Sequence, residues 1–169
     1  MTAAARLFFF LLVSASAHAA DWEAFFDPFL GDLRSELAEA RSANKTGVLI
    51  MYHFEECPYC ARMKRDVLVR PEVQRAFHRD YVTIGIDTRG SQPVTGVDGK
   101  VLPEKTFARA MGVRATPAFD FYAPSGERLY RHVGGIFDAG EFLLLGRYVA
   151  SGAHRSLTFD EFREKHKGS

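Results

Sequence analysis

The chain has little cysteine. Only two of its 169 residues are cysteines, Cys57 and Cys60, and two residues separate them. Small secreted domains that rely on disulfides usually contain several, and a bridge across so short a loop removes little entropy from the unfolded chain. A chain of this length can bury a core without such bridges. The pair is therefore predicted to carry out chemistry rather than to stabilise the fold.

The chain also lacks an excess of charge of either sign. The chain has 22 lysine and arginine residues against 21 aspartate and glutamate residues. Residues 1–19 contain Arg6 and no acidic residue, so without them the count is 21 against 21. A neutral domain has no electrostatic footprint for nucleic acid or anionic lipid. Neither is expected as a partner.

Long hydrophobic runs are missing as well. The apolar run at residues 7–13 is far shorter than the ~20 residues that cross a bilayer, and no later segment is long enough. Arg6 precedes this run and an A-x-A motif ending at Ala19 follows it, which is the pattern of a cleaved signal peptide. We predict a signal peptide over residues 1–19 and one soluble, exported domain over residues 20–169. The alternative is an uncleaved membrane anchor.

Helix and strand patterns alternate along the rest of the chain. Asp27 and Pro28 are predicted to cap and start an amphipathic helix that ends near Asn44. Residues 48–54 are apolar on both faces except for His53, which indicates a strand buried on both sides. The further predicted elements are helices at 58–68 and 72–78, a strand at 81–87, a small hairpin on a type I′ turn at 97–101, a helix at 103–111, strands at 117–123 and 128–133, and helices at 141–150 and from 158. No internal repeat or linker divides the sequence.

This order of elements resembles the thioredoxin fold over about residues 48–150. One mark is residues 57–60, CPYC, directly after a buried strand. The other is residues 113–119, VRATPAF, followed by a hairpin and the Gly-Gly pair at 134–135. The resemblance implies an α/β thioredoxin fold, with a central mixed sheet flanked by helices. An N-terminal helix and a Gly-rich insertion before a cis-proline would be added to it.

The insertion allows a finer placement within the superfamily. Its residues 87–90, DTRG, and 98–100, DGK, together with the helix at 107–109, are most similar to periplasmic thioredoxins of the sulfur-oxidation-associated SoxW type. The Gly-Lys pair inside it is not a phosphate loop, because Val101 stands where a serine or threonine is required. The finer resemblance implies a periplasmic protein, and no cofactor is predicted.

Three features depart from the thioredoxin pattern. Pro58 and Tyr59, between the cysteines, form the dipeptide of glutaredoxins. Met51 stands six positions before the first cysteine, where thioredoxins carry a buried acidic residue. Glu56 replaces the aromatic residue that precedes the first cysteine. Removal of the proton from the second cysteine is therefore expected to use another group or water.

The C-x-x-C spacing suits thiol–disulfide exchange. A cysteine at a helix N-terminus is exposed to the positive end of the helix dipole and to free amide donors, which lower its pKa. Cys57 is predicted to be the nucleophile and Cys60, one turn further in and better shielded, to be the resolving thiol. Basic residues within 62–65 favour the Cys57 thiolate, whereas Glu55 and Glu56 oppose it.

A substrate platform follows from the resemblance. It implies a cis peptide at Pro117 that faces the cysteines and leaves the backbone of Thr116 free to pair with an extended substrate. Pro58 and Tyr59 are predicted to contact the substrate too. The alternatives are an ordinary strand start for Thr116 and Pro117 and a purely structural helix-start residue for Tyr59.

The predicted function is a periplasmic thiol–disulfide oxidoreductase that acts mainly as a protein disulfide reductase, possible settings being sulfur oxidation and cytochrome c maturation. The resemblance implies protein thiols and disulfides as substrates and a membrane thiol transporter of the CcdA, DsbD or SoxV type as electron donor. The same-class alternative is a thiol oxidase or isomerase. The alternative from another class is a soft-metal chaperone that holds copper with Cys57, Cys60 and His53. For the single residues, the alternatives are that His53 is a core histidine and that the cysteine pair is a static bridge or a metal half-site.

Overall fold

The computed structural model describes residues 21–167, so the predicted signal peptide and its cleavage site lie outside the described residues. The helices are α1 (Leu33–Ser42), α2 (Pro58–Met63), which continues as a π-helical segment (Lys64–Leu68), α3 (Pro71–Asp80), α4 (Glu104–Ala110), α5 (Ala139–Ala150) and α6 (Phe159–Lys165). The strands are β1 (Gly47–His53), β2 (Tyr81–Asp87), β3 (Pro93–Thr95), β4 (Val101–Pro103), β5 (Ala118–Tyr122) and β6 (Arg128–Val133). Over residues 21–167, no helix is both long and apolar enough to cross a bilayer.

Four strands form one mixed sheet in the order β2-β1-β5-β6. Strand β1 runs parallel to β2 and antiparallel to β5, and β5 and β6 form an antiparallel hairpin. The short strands β3 and β4 pair with each other in a separate hairpin within the insertion. This arrangement confirms the predicted α/β thioredoxin fold with a mixed sheet flanked by helices.

Strand β1 lies inside the sheet because both of its faces are apolar. Leu49 and Met51 belong to one hydrophobic cluster, whereas Val48, Ile50 and Tyr52 belong to a second cluster on the other face. All five are fully buried. The strand therefore delivers the chain that follows it to a fixed place at the edge of the core.

Each face of the sheet has its own core. The cysteine-side core includes Met51, Cys57, Cys60, Phe119 and Phe142. The α1-side core includes Leu37, Ile50, Ile84, Phe107 and Tyr122. Burial of large aromatic and aliphatic side chains is the main favourable term in folding. Both cysteines are thus part of a packed core and not of a loose surface loop.

The prediction that Asp27 and Pro28 start the first helix is wrong. Helix α1 begins five residues after Pro28, with Asp32 as its N-cap. The Asp27 carboxylate instead accepts the backbone N–H of Thr83 at 2.7 Å, and the Asp27 N–H donates to the Thr83 carbonyl at 2.7 Å. Gly31 has a φ of +88°, which is incompatible with a continuous helix. A tertiary contact with β2 thus outcompetes the local capping signal.

The insertion forms the predicted hairpin but on a different turn. The Gly96 N–H donates to the Lys100 carbonyl at 2.8 Å. A type I′ turn requires positive φ at both central residues, and only Gly99, at +80°, has it while Asp98 does not. The reason is local, because the Asp98 carboxylate accepts the Lys100 N–H at 3.1 Å and holds an Asx-type turn.

The two C-terminal helices follow the predicted signals closely. Helix α5 begins slightly early because Asp138 caps it. Helix α6 has Thr158 as its N-cap, in a capping box with Glu161. Phe159 and Phe162 pack this helix onto the cysteine-side core. The fold therefore extends beyond helix α5 with its own contribution to the core around the cysteines.

Candidate functional site

The C-x-x-C motif lies at a strand end and a helix start, as the sequence predicts. After β1 the chain makes one turn, in which the Cys57 N–H donates to the Phe54 carbonyl at 3.3 Å. Cys57 is then the N-cap of α2, and Pro58 is its first helical residue. Cys57 and Cys60 form a disulfide with their Cα atoms 5.2 Å apart. Both sulfurs therefore meet across the first helical turn.

Hydrogen-bond donors converge on the sulfur of Cys57. The backbone N–H of Cys60 lies 3.1 Å from it, and the hydroxyl of Thr116 donates to it at 3.3 Å. These donors are placed to stabilise a negative charge on this sulfur once the disulfide is reduced. Both cysteines are only 1% exposed, so the expected difference in shielding is absent. The two sulfurs are distinguished by their hydrogen bonds and not by burial.

Thr116 and Pro117 lie against the cysteine pair. The peptide bond between them is cis, and the Thr116 carbonyl oxygen is 3.7 Å from the Cys57 sulfur. The Pro117 carbonyl accepts the N–H of Gly134 at 2.9 Å, which ties this segment to the end of β6. The structure thus brings together residues that are 59 positions apart in the chain.

Tyr59 lies on the surface beside the disulfide. Its side chain is 60% exposed and its ring stacks on that of Phe137, with the centroids 6.2 Å apart. The Arg62 guanidinium lies 4.1 Å from the centroid of the Phe137 ring. No sequence motif marks Phe137. The glycine pair at 134–135 is the nearby signal, and the structure gives a reason for it, since a side chain at Gly135 would collide with the Phe137 ring.

Met51, which stands where thioredoxins carry a buried acidic residue, has apolar surroundings. Met51 is completely buried in the cysteine-side core. His53 is two residues further along β1, and its Nδ1 atom is 3.4 Å from Nζ of Lys64. Burial, together with the nearby Lys64 charge, lowers the pKa of His53 to about 4. His53 is therefore a neutral imidazole at physiological pH, stacked on Phe26 with ring centroids 6.1 Å apart.

These contacts weigh against a metal site. Within residues 21–167, no three histidine, cysteine, aspartate or glutamate side chains are grouped closely enough to hold a metal ion. Lys64 places a cation next to the imidazole nitrogen of His53, which disfavours a bound metal cation. His53 thus has the packed surroundings of a core histidine, the alternative that the sequence left open.

We expect Thr116→Val to raise the pKa of the Cys57 thiol in the reduced protein by about 1 unit, because a hydrogen bond to a charged group contributes about 1.5 kcal/mol or more. Valine has nearly the size of threonine and lacks only the donor. Ultraviolet absorbance of the thiolate, followed across pH, measures the change. Thr116→Ser keeps the hydroxyl and serves as the control. An unchanged pKa in Thr116→Val would show that the 3.3 Å contact does not act on the thiolate.

Comparison with known proteins gives relatives of the same architecture. A thioredoxin-fold protein from Helicobacter pylori has a TM-score of 0.65 at 17% identity, over 86% of this chain and 89% of that one. A putative disulphide-isomerase from Bacteroides thetaiotaomicron has a TM-score of 0.56 at 25% identity, over 79% and 94%. Anterior gradient protein 3 from Mus musculus is 26% identical over 97 residues, 57% of this chain and 56% of the relative. The chain thus matches little more than half the length of that curated relative.

A family model covers most of the described structure. The model of the thioredoxin-like domain matches residues 33–150, from the start of α1 to the end of α5. The matched region contains the whole four-stranded sheet and both cysteines. The chain belongs to the thioredoxin-like domain family.

Proposed function

We propose that the protein is a thiol–disulfide oxidoreductase that works mainly as a reductase of protein disulfides. The observation that carries this proposal is the disulfide at the N-terminus of α2, whose Cys57 sulfur receives a backbone donor from Cys60 and the hydroxyl of Thr116. Such donors stabilise the thiolate, which is the reactive species in disulfide exchange. A purely structural bridge has no need of them.

The proposed cycle begins with the reduced protein. The Cys57 thiolate attacks one sulfur of a substrate disulfide, which forms a mixed disulfide and releases the other substrate sulfur as a thiolate. Cys60, after loss of its proton, attacks the Cys57 sulfur, closes the disulfide of the protein and releases the second substrate thiolate. Two electrons pass to the substrate, and each released thiolate takes up a proton. Because Met51 offers no carboxylate, water or another group accepts the Cys60 proton.

The substrate segment is proposed to lie along Thr116 and Pro117, with Pro58 and Tyr59 on its other side. The proximity of Thr116 to Cys57 and the exposure of Tyr59 support this placement. An extended peptide there can form main-chain hydrogen bonds at the cis-proline segment while its disulfide reaches the Cys57 sulfur. The exposed face around Tyr59 suits a protein segment better than a small molecule that needs an enclosing cavity.

The cellular setting is also part of the proposal. Residues 1–19 have the sequence of a signal peptide, which supports export and a mature domain over residues 20–169 in the periplasm. In an oxidising compartment a reductase needs a supply of electrons. We propose a membrane thiol transporter of the CcdA, DsbD or SoxV type as the donor. The placement near SoxW-type proteins rests on the insertion with residues 87–90 and 98–100.

A thiol oxidase or isomerase is the second candidate. The similarity to a putative disulphide-isomerase at 25% identity favours keeping it. The fold alone does not fix the direction, since thioredoxin and the strong oxidant DsbA share it while their potentials are about −270 and −120 mV. The direction therefore has to come from the equilibrium between the dithiol and the disulfide of this protein.

We expect a reduction potential at or below about −200 mV, the range of glutaredoxins and thioredoxin. Equilibration with glutathione or dithiothreitol buffers, read out by alkylation of free thiols, gives this value. The Cys60→Ser variant, which cannot form the intramolecular disulfide, is the control for the assignment of the signal. A potential near that of the strong oxidant, about −120 mV, would make the protein a disulfide donor and overturn the reductase assignment.

A further inference from the structure

The start of the insertion contacts the turn that carries the nucleophile. The Arg89 guanidinium lies 3.8 Å above the centroid of the Phe54 ring, and its Nη1 atom is 2.9 Å from a carboxylate oxygen of Glu56. Phe54 and Glu56 belong to the turn that ends at Cys57, and the Phe54 carbonyl accepts the Cys57 N–H. We call Arg89, Phe54 and Glu56 the Arg89 clasp. It reaches the residue directly before the attacking sulfur.

The backbone of Arg89 is held in place from several sides. The Thr88 N–H donates to the carbonyl of His53 at 2.8 Å, and the Arg89 N–H donates to the Asp87 carboxylate at 2.8 Å. The Asp87 N–H in turn donates to a carboxylate oxygen of Glu104 at the start of α4 at 3.1 Å. An exposed ion pair normally contributes little, because two flexible side chains must be ordered. Here the Phe54 ring beneath the guanidinium limits the orientations that the Arg89 side chain can take, which lowers that ordering cost.

The Arg89 clasp offsets negative charge next to the reactive sulfur. Glu55 and Glu56 are both exposed and immediately precede Cys57, so their carboxylates oppose a thiolate there. Arg89 supplies the opposite charge to one of them, and its fork geometry suits a carboxylate. We propose that Arg89 is a positioning residue for the redox centre: by holding and neutralising the Glu56 carboxylate it favours the Cys57 thiolate and makes the dithiol more oxidising.

This inference rests on the proposed function, in which Cys57 is the nucleophile. The reduced state is the one that bears the thiolate, so loss of Arg89 destabilises the reduced state relative to the disulfide. The Cys57 pKa then rises and the reduction potential becomes more negative. The insertion would thus adjust the Cys57 pKa and the reduction potential, in addition to any structural role.

The test is the Cys57 pKa of the full-length protein, measured by thiolate absorbance at low and high salt. We expect Arg89→Met to raise it by about 0.5 unit, a threefold change in acidity, and Glu56→Gln to lower it. In the Glu56→Gln background, Arg89→Met is expected to have little further effect, which isolates the pair. Arg89→Lys keeps the positive charge and is expected to raise the Cys57 pKa less than Arg89→Met does. High salt should reduce the changes because the groups are exposed.

Arg147→Met is the matched control. Arg147 is exposed on α5 and makes no ion pair or side-chain hydrogen bond among the described residues, so its loss changes net charge equally. An equal shift in Arg147→Met, or a shift from Arg89→Met that persists undiminished with Glu56→Gln, would overturn the proposal. Retained activity in Cys57→Ser would overturn the proposed function instead. An inactive Cys57→Ser with an unmoved pKa in Arg89→Met would refute the Arg89 role alone.

Discussion

Replacement of Cys57 by serine is expected to lower the rate of insulin disulfide reduction by at least about a thousandfold, the scale of losing a covalent nucleophile. A serine hydroxyl does not ionise at neutral pH, and its oxygen does not form the mixed disulfide. The donors around this position, the Cys60 N–H and the Thr116 hydroxyl, remain in place. The loss is therefore chemical and not structural. Insulin precipitation with dithiothreitol as the electron source measures it.

Replacement of Cys60 by serine is expected to give a different result, which serves as the control. Cys57 can still attack a substrate disulfide, but no resolving thiol releases the product. Covalent complexes with partner proteins should accumulate and disappear on treatment with excess reductant. Trapping by the Cys57→Ser variant instead would exchange the two roles. Full turnover by either single variant would exclude a C-x-x-C mechanism altogether.

The parts of the fold that the sequence predicts well depend on local patterns. Strand β1 is apolar on both faces, and a strand of that kind has no other stable place than inside a sheet. Thr158 and Glu161 form a capping box whose donors and acceptors are all within four residues. The C-x-x-C pair at Cys57 follows from the same local order, since the end of β1 and the proline at the helix start leave it little freedom.

The contacts that the sequence does not predict depend on residues far apart in the chain. In the sequence Asp27 has the features of a helix cap, but in the structure its carboxylate accepts the backbone N–H of Thr83, 56 residues away. Arg89 and Phe137 belong to different loops, and each contacts an aromatic or charged partner near the cysteines that is distant from it in the sequence. The hydrophobic periodicity of the sequence does not predict such pairs. The cysteine pair and, through the resemblance, the Thr116–Pro117 segment beside it are thus predictable from the sequence, whereas the contacts of Arg89 and Phe137 are not.

The buried ion pair of the β5–β6 hairpin is another contact that the sequence pattern does not predict, although its residues are only 11 positions apart. Asp120 stands in the middle of β5 with no exposed surface, and Arg131 on β6 binds both of its carboxylate oxygens. Arg128 has an Nη1 atom 3.8 Å from one of these oxygens. Burial and the Asp120 charge also raise the pKa of Tyr52, whose hydroxyl lies in the same region. Ala118, directly after Pro117, belongs to the same strand, so this pair lies on the strand that follows the cis peptide bond.

Arg131→Met is expected to lower the free energy of unfolding by about 3 kcal/mol, because it leaves the Asp120 carboxylate buried without its main partner. The figure is at the lower end for buried pairs, since Arg131 is 20% exposed and Arg128 can approach. Urea unfolding at neutral pH measures it. The double variant with Asp120→Asn removes the uncompensated charge and should recover much of the loss. If the double variant were as unstable as Arg131→Met, lost packing of the arginine stem would be the cause, and the ion pair would not stabilise β5.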